Sequence, residues 1–242
     1  MSESPSQQSP DFAAFGPVEA RPLTRMQALV AAAMERSWTS IPHVSHHEEA
    51  DITVLEALRL ERAAQTGSKI SLLPFFVKAA VAALQQYPQV NASLDGAKKA
   101  LILKQYYHIG IAIDVPAGLL VPVVRDADKK TIDEIGLEIA ELAQLARTKG
   151  LPLARMSGGC FTISSLGAIG GTGFTPIINA PELAIVGISR SYRKPFEAAG
   201  GGIEWRTVLP FCLSYDHRAI NGALAGNFCR AFADTLGKPD AL

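Results

Sequence analysis

Helical and extended apolar patterns alternate along this sequence of 242 residues, and the alternation constrains the fold more than any other feature. Apolar residues recur at the helical spacing of three and four in five segments: 24–38, 53–67, 71–87, 132–147 and 222–236. Extended apolar runs predict strands at 101–103, 109–114, 119–124, 160–164, 183–189 and 208–215, and residues 44–52 form an extended run with polar residues. The predicted strands are irregularly spaced and show no repeat. This order predicts an α/β domain with a mostly mixed sheet covered by helices.

Two of the predicted helices begin with capping signals. Thr53 precedes Glu56 by three residues, the spacing of a capping box, so Thr53 is predicted to be an N-cap. Ser71 is predicted to cap the next helix, and Pro88 lies just beyond its end. That helix is so rich in apolar residues that we expect it to be buried on most sides.

The composition indicates a soluble globular protein. Hydrophobic residues make up 48% of the chain and charged residues 19%, which excludes disorder of the whole chain. Because 23 Lys and Arg balance 23 Asp and Glu, we expect neither a nucleic-acid partner nor attraction to an anionic membrane. The apolar runs also fall short of the roughly 20 residues that a membrane helix needs.

Residues 1–20 differ from the rest of the chain. They are rich in Ser, Gln, Pro and Ala, which is typical of a flexible linker or arm, so one folded domain is expected over residues 21–242. They lack the basic start and apolar run of a signal peptide. The three cysteines have no CxxC spacing, and their odd number gives no disulfide framework. A cytoplasmic, reducing location is therefore expected.

His217 is the first candidate for chemistry. It follows the predicted strand 208–215 and precedes Gly222, where a helix is predicted to begin. Catalytic side chains often lie on such connecting segments because a rigid scaffold positions them. The residues alone leave a second interpretation open, in which His217 hydrogen-bonds within a loop whose backbone is fixed by Asp216 and Arg218.

The glycine-rich segment 158–173 holds the second candidate. Ser164 and Ser165 lie at the end of a predicted strand, where a hydroxyl could donate to an oxyanion, although an ordinary turn explains the same residues. The segment has neither GxGxxG nor GxxxxGK[ST], so it does not indicate a nucleotide loop. The chain also lacks the GxSxG motif of many Ser-His-Asp hydrolases, which disfavours that class.

The run His46-His47-Glu48-Glu49 contains residue types that bind metals. Neighbouring side chains of an extended segment point in opposite directions, so the two histidines cannot both face one ion. We interpret this run as a solvated loop and expect no metal site.

Six segments, taken in order, resemble a known family. Over residues 22–242 the chain is similar to the catalytic core of the dihydrolipoyl acyltransferase components of 2-oxoacid dehydrogenase complexes, above all the acetyltransferases of bacterial pyruvate dehydrogenase complexes. The matching segments are 41–43, 91–95, 118–126, 158–167, 179–182 and 216–222.

The resemblance implies a fold like that of chloramphenicol acetyltransferase, a mixed sheet flanked by helices, assembled as trimers with active sites between subunits. It implies that His217 is the general base and that Ser164, supplied by the neighbouring subunit, stabilises the tetrahedral intermediate. Ser164 is preferred to Ser165 because relatives tolerate other residues at the second position. Asn221 stands in the site where many members have aspartate, so it can support the loop or the imidazole by hydrogen bonds but adds no charge.

Substrates and partners are implied in the same way. The substrates would be coenzyme A and a lipoyl group carried on a separate domain or chain, with acetyl as the expected acyl group and no metal. The partners would be the lipoyl domain, a 2-oxoacid decarboxylase and a dihydrolipoamide dehydrogenase, arranged around trimers that assemble into a larger cage. Two alternatives stay open: a transferase of the same fold with another acceptor, such as a carrier-protein thiol or a small molecule, and a scaffold without activity.

Overall fold

A computed structural model describes residues 10–67, 69–97, 99–115 and 118–239 of the chain. Its five α-helices are α1 (Arg25–Ser40), α2 (Thr53–Thr66), α3 (Leu73–Gln86), α4 (Ile132–Thr148) and α5 (Gly222–Gly237). Its strands are β1 (His43–Asp51), β2 (Ala92–Asp95), β3 (Ala100–Leu103), β4 (Ile109–Ile111), β5 (Ile113–Val115), β6 (Gly118–Leu120), β7 (Val123–Val124), β8 (Phe161–Ser165), β9 (Ala184–Ile188), β10 (Tyr192–Glu197) and β11 (Ile203–Asp216). All five predicted helices are confirmed.

A seven-stranded mixed sheet organises the chain. Its order is β1-β11-β9-β8-β4-β7, and β10 pairs with β11 outside this path. Strands β4, β8 and β9 are parallel, whereas β11 runs antiparallel to β9, β1 and β10. Helix α5 covers one face of the sheet, where Phe161 meets Phe228 and Phe211 meets Phe232 at ring-centroid distances of 5.6 and 5.1 Å. The predicted mixed sheet with flanking helices is confirmed.

The opposite face of this sheet carries small polar side chains. Residues paired across neighbouring strands share a face, so Ser164, Gly187 and Cys212 form one row that continues to His47 in β1. Gly187 is needed in this row because a Cβ there would lie 2.8 Å from the Phe174 ring. We call this surface the polar sheet face.

Two predicted strands are each divided in the structure. The run 109–114 separates into β4, which belongs to the main sheet, and β5, which pairs with β6 in a separate two-stranded sheet. The run 119–124 separates into β6 and β7 on either side of Pro122, a residue with no N–H to donate to a ladder. Strands β2 and β10 were not predicted; β10 is largely exposed and contains Arg193, Lys194 and Pro195.

The predicted capping box of α2 is wrong. Ile52 is the N-cap, and the Thr53 hydroxyl instead donates to Asp51 at 2.6 Å and accepts from the backbone N–H of Thr207 at 2.9 Å. Glu56 pairs with Arg59 at 2.6 Å and does not reach back to the helix start. Tertiary partners have therefore replaced the local ones that the spacing predicts.

Two other local predictions need correction. The N-cap of α3 is Leu72, although the Ser71 hydroxyl does accept from the Leu73 N–H at 3.2 Å. The segment from His46 to Glu49 is no solvated loop, because it lies within β1 and pairs with β11. A polar sequence adopts a strand here because β11 provides the hydrogen-bonding partner and only one face of β1 meets the core.

A buried polar cluster brings together three of the six family-like segments. Glu182 is 3% exposed, and its Oε1 lies so close to Gly159 that a Cβ there would approach it to 2.9 Å. The Asn91 amide donates to the carbonyls of Lys104 and Tyr106. Burial raises the pKa of Glu182 to about 7 and lowers the pKa of Lys104. Part of the family pattern therefore maintains this buried cluster.

Glu182→Gln is expected to alter the pH dependence of thermal stability. The folded pKa of about 7 lies above the ordinary value of 4.5, so between these pH values the folded chain holds a proton that the unfolded chain has lost. The bound proton adds to the free energy of unfolding. This added stability is complete below pH 4.5 and is lost as the pH rises through 7, by roughly 3 kcal/mol. We expect the difference between the melting temperature of the variant and that of the unmodified chain to increase as the pH is raised from 5 to 8. Parallel curves would show that Glu182 titrates normally.

Candidate active site

The loop that carries His217 is held by an ion pair between its two neighbours. Asp216 ends β11, is 1% exposed, and accepts from the Arg218 guanidinium through Nη2 at 2.6 Å and Nε at 2.9 Å. It also accepts from the Arg218 backbone N–H at 3.0 Å. Such bidentate pairs fix geometry as well as adding energy. His217 is exposed between them, and the pair holds the backbone on either side of it.

Two separate segments anchor the backbone of this loop. The His217 N–H donates to the Pro42 carbonyl at 3.1 Å, and the Asp216 N–H donates to the Leu183 carbonyl at 2.8 Å. Pro42 belongs to the family-like segment 41–43, and Leu183 directly follows the segment 179–182. These segments therefore contribute to the site as supports of the His217 loop.

His43 contacts both anchoring segments, a role that the sequence did not reveal. Its Nδ1 lies 2.9 Å from the Ile41 carbonyl, and its Nε2 accepts from the Ile178 N–H at 3.0 Å. The only sequence signal was its membership of the segment 41–43.

Asn221 is the N-cap of α5. Its Oδ1 accepts from the Leu224 N–H at 2.9 Å, so the side chain ties the end of the His217 loop to the first turn of the helix. The prediction that this amide supports the loop through hydrogen bonds is confirmed. A direct role in catalysis stays a prediction.

Ser164 and Ser165 lie on opposite faces of the sheet. Ser164 is half-buried on the polar sheet face, in the row of Cys212. Ser165 points to the helix-covered face, where it lines the cavity described below. The two hydroxyls therefore serve different surfaces although they are adjacent in sequence.

Within one chain, Ser164 and His217 do not meet. Ser164 is level with Cys212 across β9, and Cys212 lies five residues before His217. With about 3.4 Å per strand residue and about 4.8 Å between strands, the two residues are roughly 20 Å apart. Two of the predicted site residues, His217 and Asn221, share one loop, and the third stands apart.

A cavity of about 810 Å³ lies between the sheet and helices α2, α3 and α4. Arg59, Arg147 and Arg190 contribute positive charge to its wall, and Glu56 is paired with Arg59. Arg59 also donates to the Ile70 carbonyl, and Arg190 to the Gly167 carbonyl, at 3.3 Å each. The cavity offers oriented guanidinium groups beside the end of β8.

Within residues 10–67, 69–97, 99–115 and 118–239, no three His, Cys, Asp or Glu side chains are grouped so that they could hold a metal ion. Nor does any helix in those ranges have the length and apolarity needed to span a membrane.

Comparison with known proteins assigns the chain to a family. Residues 15–242 match the family model of the 2-oxoacid dehydrogenases acyltransferase (catalytic domain). The chain belongs to this family. The dihydrolipoyllysine-residue acetyltransferase component of the pyruvate dehydrogenase complex of Cupriavidus necator is 51% identical over 93% of the chain, which corresponds to 41% of that protein. The chain spans about two fifths of the length of this and similar curated relatives.

Solved structures of acyltransferase cores have the same fold. A dihydrolipoamide acetyltransferase of Azotobacter vinelandii, studied for the catalytic role of a serine, a histidine and an asparagine, is 46% identical with a TM-score of 0.93, covering 98% of this chain and 99% of that one. The cubic core of a pyruvate dehydrogenase multienzyme complex matches with the same values. Chloramphenicol acetyltransferase, 14% identical with a TM-score of 0.57 over 84% of this chain and 94% of that one, confirms the expected fold class.

Asn221→Ala is expected to lower the stability of the acyltransferase domain by about 1 kcal/mol, because the first turn of α5 loses its capping acceptor. Asn221→Asp should retain the stability, since aspartate caps equally well and its charge favours a helix N-terminus. Thermal denaturation of the three proteins at pH 7 measures both effects. A stable alanine variant would show that the cap contributes nothing to α5.

Proposed function

We propose that this chain is the catalytic core of a dihydrolipoamide acyltransferase, moving an acetyl group between coenzyme A and dihydrolipoamide. The observation that carries the proposal is the exposed imidazole of His217 on a loop braced by Asp216 and Arg218, in a member of the acyltransferase family. The 51% identity to an acetyltransferase supports acetyl as the group transferred.

His217 acts as the general base in this proposal. A thiol with a pKa near 8.5 is only a few per cent thiolate at neutral pH, so a base positioned beside it accelerates attack by roughly 10² to 10⁴. The imidazole takes the proton as the coenzyme A sulfur bonds to the acyl carbon. It returns that proton to the dihydrolipoyl sulfur when the old C–S bond breaks. The same steps run in reverse.

Ser164 provides the hydrogen bond to the developing oxyanion. One aimed donor of this kind contributes about 2.7 to 4 kcal/mol to transition-state stabilisation. Because Ser164 and His217 of one chain are roughly 20 Å apart, the serine must come from a neighbouring copy. The half-buried Ser164 on the polar sheet face supports an assembly in which this part of the face meets the His217 loop of a neighbour, as in a trimer.

The catalytic residues studied in the Azotobacter enzyme support these roles. Its histidine and asparagine are four positions apart, as are His217 and Asn221. Its serine precedes the histidine by 52 positions, whereas Ser164 and Ser165 precede His217 by 53 and 52. An uninterrupted spacing matches Ser165, and Ser164 matches it if this chain has one more residue between the serine and the histidine. We favour Ser164 because it lies on the polar sheet face.

Coenzyme A is assigned to the cavity at the end of β8. Its phosphate groups match the guanidinium groups of Arg59, Arg147 and Arg190, which can bind phosphate oxygens in pairs. Ser165 lines the same cavity and is adjacent to Ser164, so a thiol arm leaving the cavity passes the end of the strand that carries the oxyanion donor.

The assembly and partners follow from the same assignment. The similarity to a cubic core supports trimers that build a cage, which receives a lipoyl domain and works beside a 2-oxoacid decarboxylase and a dihydrolipoamide dehydrogenase. A cytoplasmic location and a linker role for residues 1–20 stay predictions; residues 1–9 lie outside the described part of the chain.

His217→Ala should lower thioester exchange between acetyl-CoA and dihydrolipoamide by roughly 10² to 10⁴, because the thiol loses its base. Steady-state kinetics with acetyl-, succinyl- and branched-chain acyl-CoA measure the activity and the acyl preference of the unmodified chain. Gel filtration should show the variant assembled like its parent. Turnover of the variant near that of the unmodified chain contradicts the mechanism, and no turnover by the unmodified chain with any thioester favours another acceptor or a scaffold.

Ser164→Ala should lower kcat by roughly 10² to 10³ with little change in KM, because the hydroxyl is needed mainly in the transition state. Ser165→Ala removes the same atom from the next residue, on the other sheet face. Its kcat should fall less than that of Ser164→Ala. The reverse pattern would move the oxyanion role to Ser165.

A further inference from the structure

We propose that His43 is a positioning residue, which holds the His217 loop in place by bridging the two segments that anchor it. The inference rests on the proposed function, because it concerns the base of that reaction. His43 is the first residue of β1 and pairs with Asp216, the last residue of β11, so it lies beside the start of the loop.

The hydrogen bonds of the ring define its protonation. The Ile178 N–H donates to Nε2, so Nε2 must be the nitrogen without a proton. The neutral ring then carries its proton on Nδ1 and donates it to the Ile41 carbonyl. Both nitrogens are used by backbone groups, so His43 has no free nitrogen for proton transfer to a substrate. Its ring also packs against Trp38, with 5.4 Å between centroids.

The partners of His43 belong to the segments that hold the loop. Ile41 precedes Pro42, whose carbonyl accepts from the His217 N–H. Ile178 directly precedes the turn 179–182, which is followed by Leu183, whose carbonyl accepts from the Asp216 N–H. One imidazole therefore joins the two backbone supports of the base, which come from parts of the chain more than 130 residues apart.

Other contacts make this bridge difficult to replace. Ile41, Ile178 and Ile185 form a small buried apolar cluster, with Ile178 fully buried. Both backbone groups of Ile178 have side-chain partners. The Ser37 hydroxyl donates to its carbonyl, and its N–H donates to His43. Without the ring acceptor a buried N–H is unsatisfied, and the segment must move to find a new partner.

His43→Asn tests the bridge with a small change. The shorter amide can still donate toward the Ile41 carbonyl, but it does not reach the Ile178 N–H. We expect kcat for acetyl exchange to fall by roughly tenfold to a hundredfold, the cost of a small misplacement of a catalytic group. The KM values for both substrates should stay within about twofold. His46→Asn makes the same substitution three residues further along β1 and should leave kcat within about twofold.

A double-mutant cycle separates positioning from a general structural effect. If His43 acts through His217, then adding His43→Asn to His217→Ala should change the residual rate by less than about twofold. His43→Gln, whose longer side chain can bring an oxygen toward the Ile178 N–H, should recover kcat to within about threefold of the unmodified chain. If the asparagine variant does not assemble, kcat of the glutamine variant is compared with that of the unmodified chain instead.

The outcomes distinguish this inference from the proposed function. No exchange activity in the unmodified chain would defeat the proposed function. With an active unmodified chain, full kcat in His43→Asn would overturn the positioning role. The positioning role would also be overturned if His43→Asn lowered the exchange rate by the same factor with and without the His217 imidazole. A kcat of His43→Gln no higher than that of His43→Asn would overturn it as well.

Discussion

The pairing of β11 on both of its edges is the constraint on which the rest of the structure depends. This 14-residue strand is hydrogen-bonded to β1 on one side and to β9 and β10 on the other, and its C-terminal half is buried. Its last residue, Asp216, is therefore placed by the sheet, and the pair with Arg218 turns the chain outward immediately afterwards. The backbone at the exposed His217 is held by a buried carboxylate and by two backbone hydrogen bonds.

The two faces of the sheet differ in composition and in role. Aromatic and aliphatic side chains on one face pack against α5 and provide the core. The other face carries hydroxyls and thiols, including Ser45 and Ser214, whose side-chain oxygens are 3.2 Å apart. Packing such a face against apolar side chains would stabilise the fold little. Contact with a polar substrate and a neighbouring copy suits it better. This division supports a reaction site that is completed between subunits.

Predictions from local sequence succeeded where neighbouring residues decide the structure. All five helices were located because the 3.6-residue period is a property of one segment, and Gly67 ends α2 in the left-handed conformation that a terminal glycine favours. The errors arose where distant residues intervene. Thr53 bonds to Thr207 and does not cap its own helix, and the strand run 109–114 divides because its two halves join different sheets.

The sequence by itself determined the helices and the mixed α/β class, and its six family-like segments predict roles for His217, Ser164 and Asn221. Only the tertiary structure separated Ser164 from His217, placed Ser165 on the opposite face, and showed Asp216, His43 and Asn221 as supports of the loop. It also assigned Glu182 to a buried polar cluster. The physical reason is that helical periods and turn preferences depend on adjacent residues. Strand register and buried hydrogen bonds join groups far apart in the chain, and their partners are fixed only when the core packs.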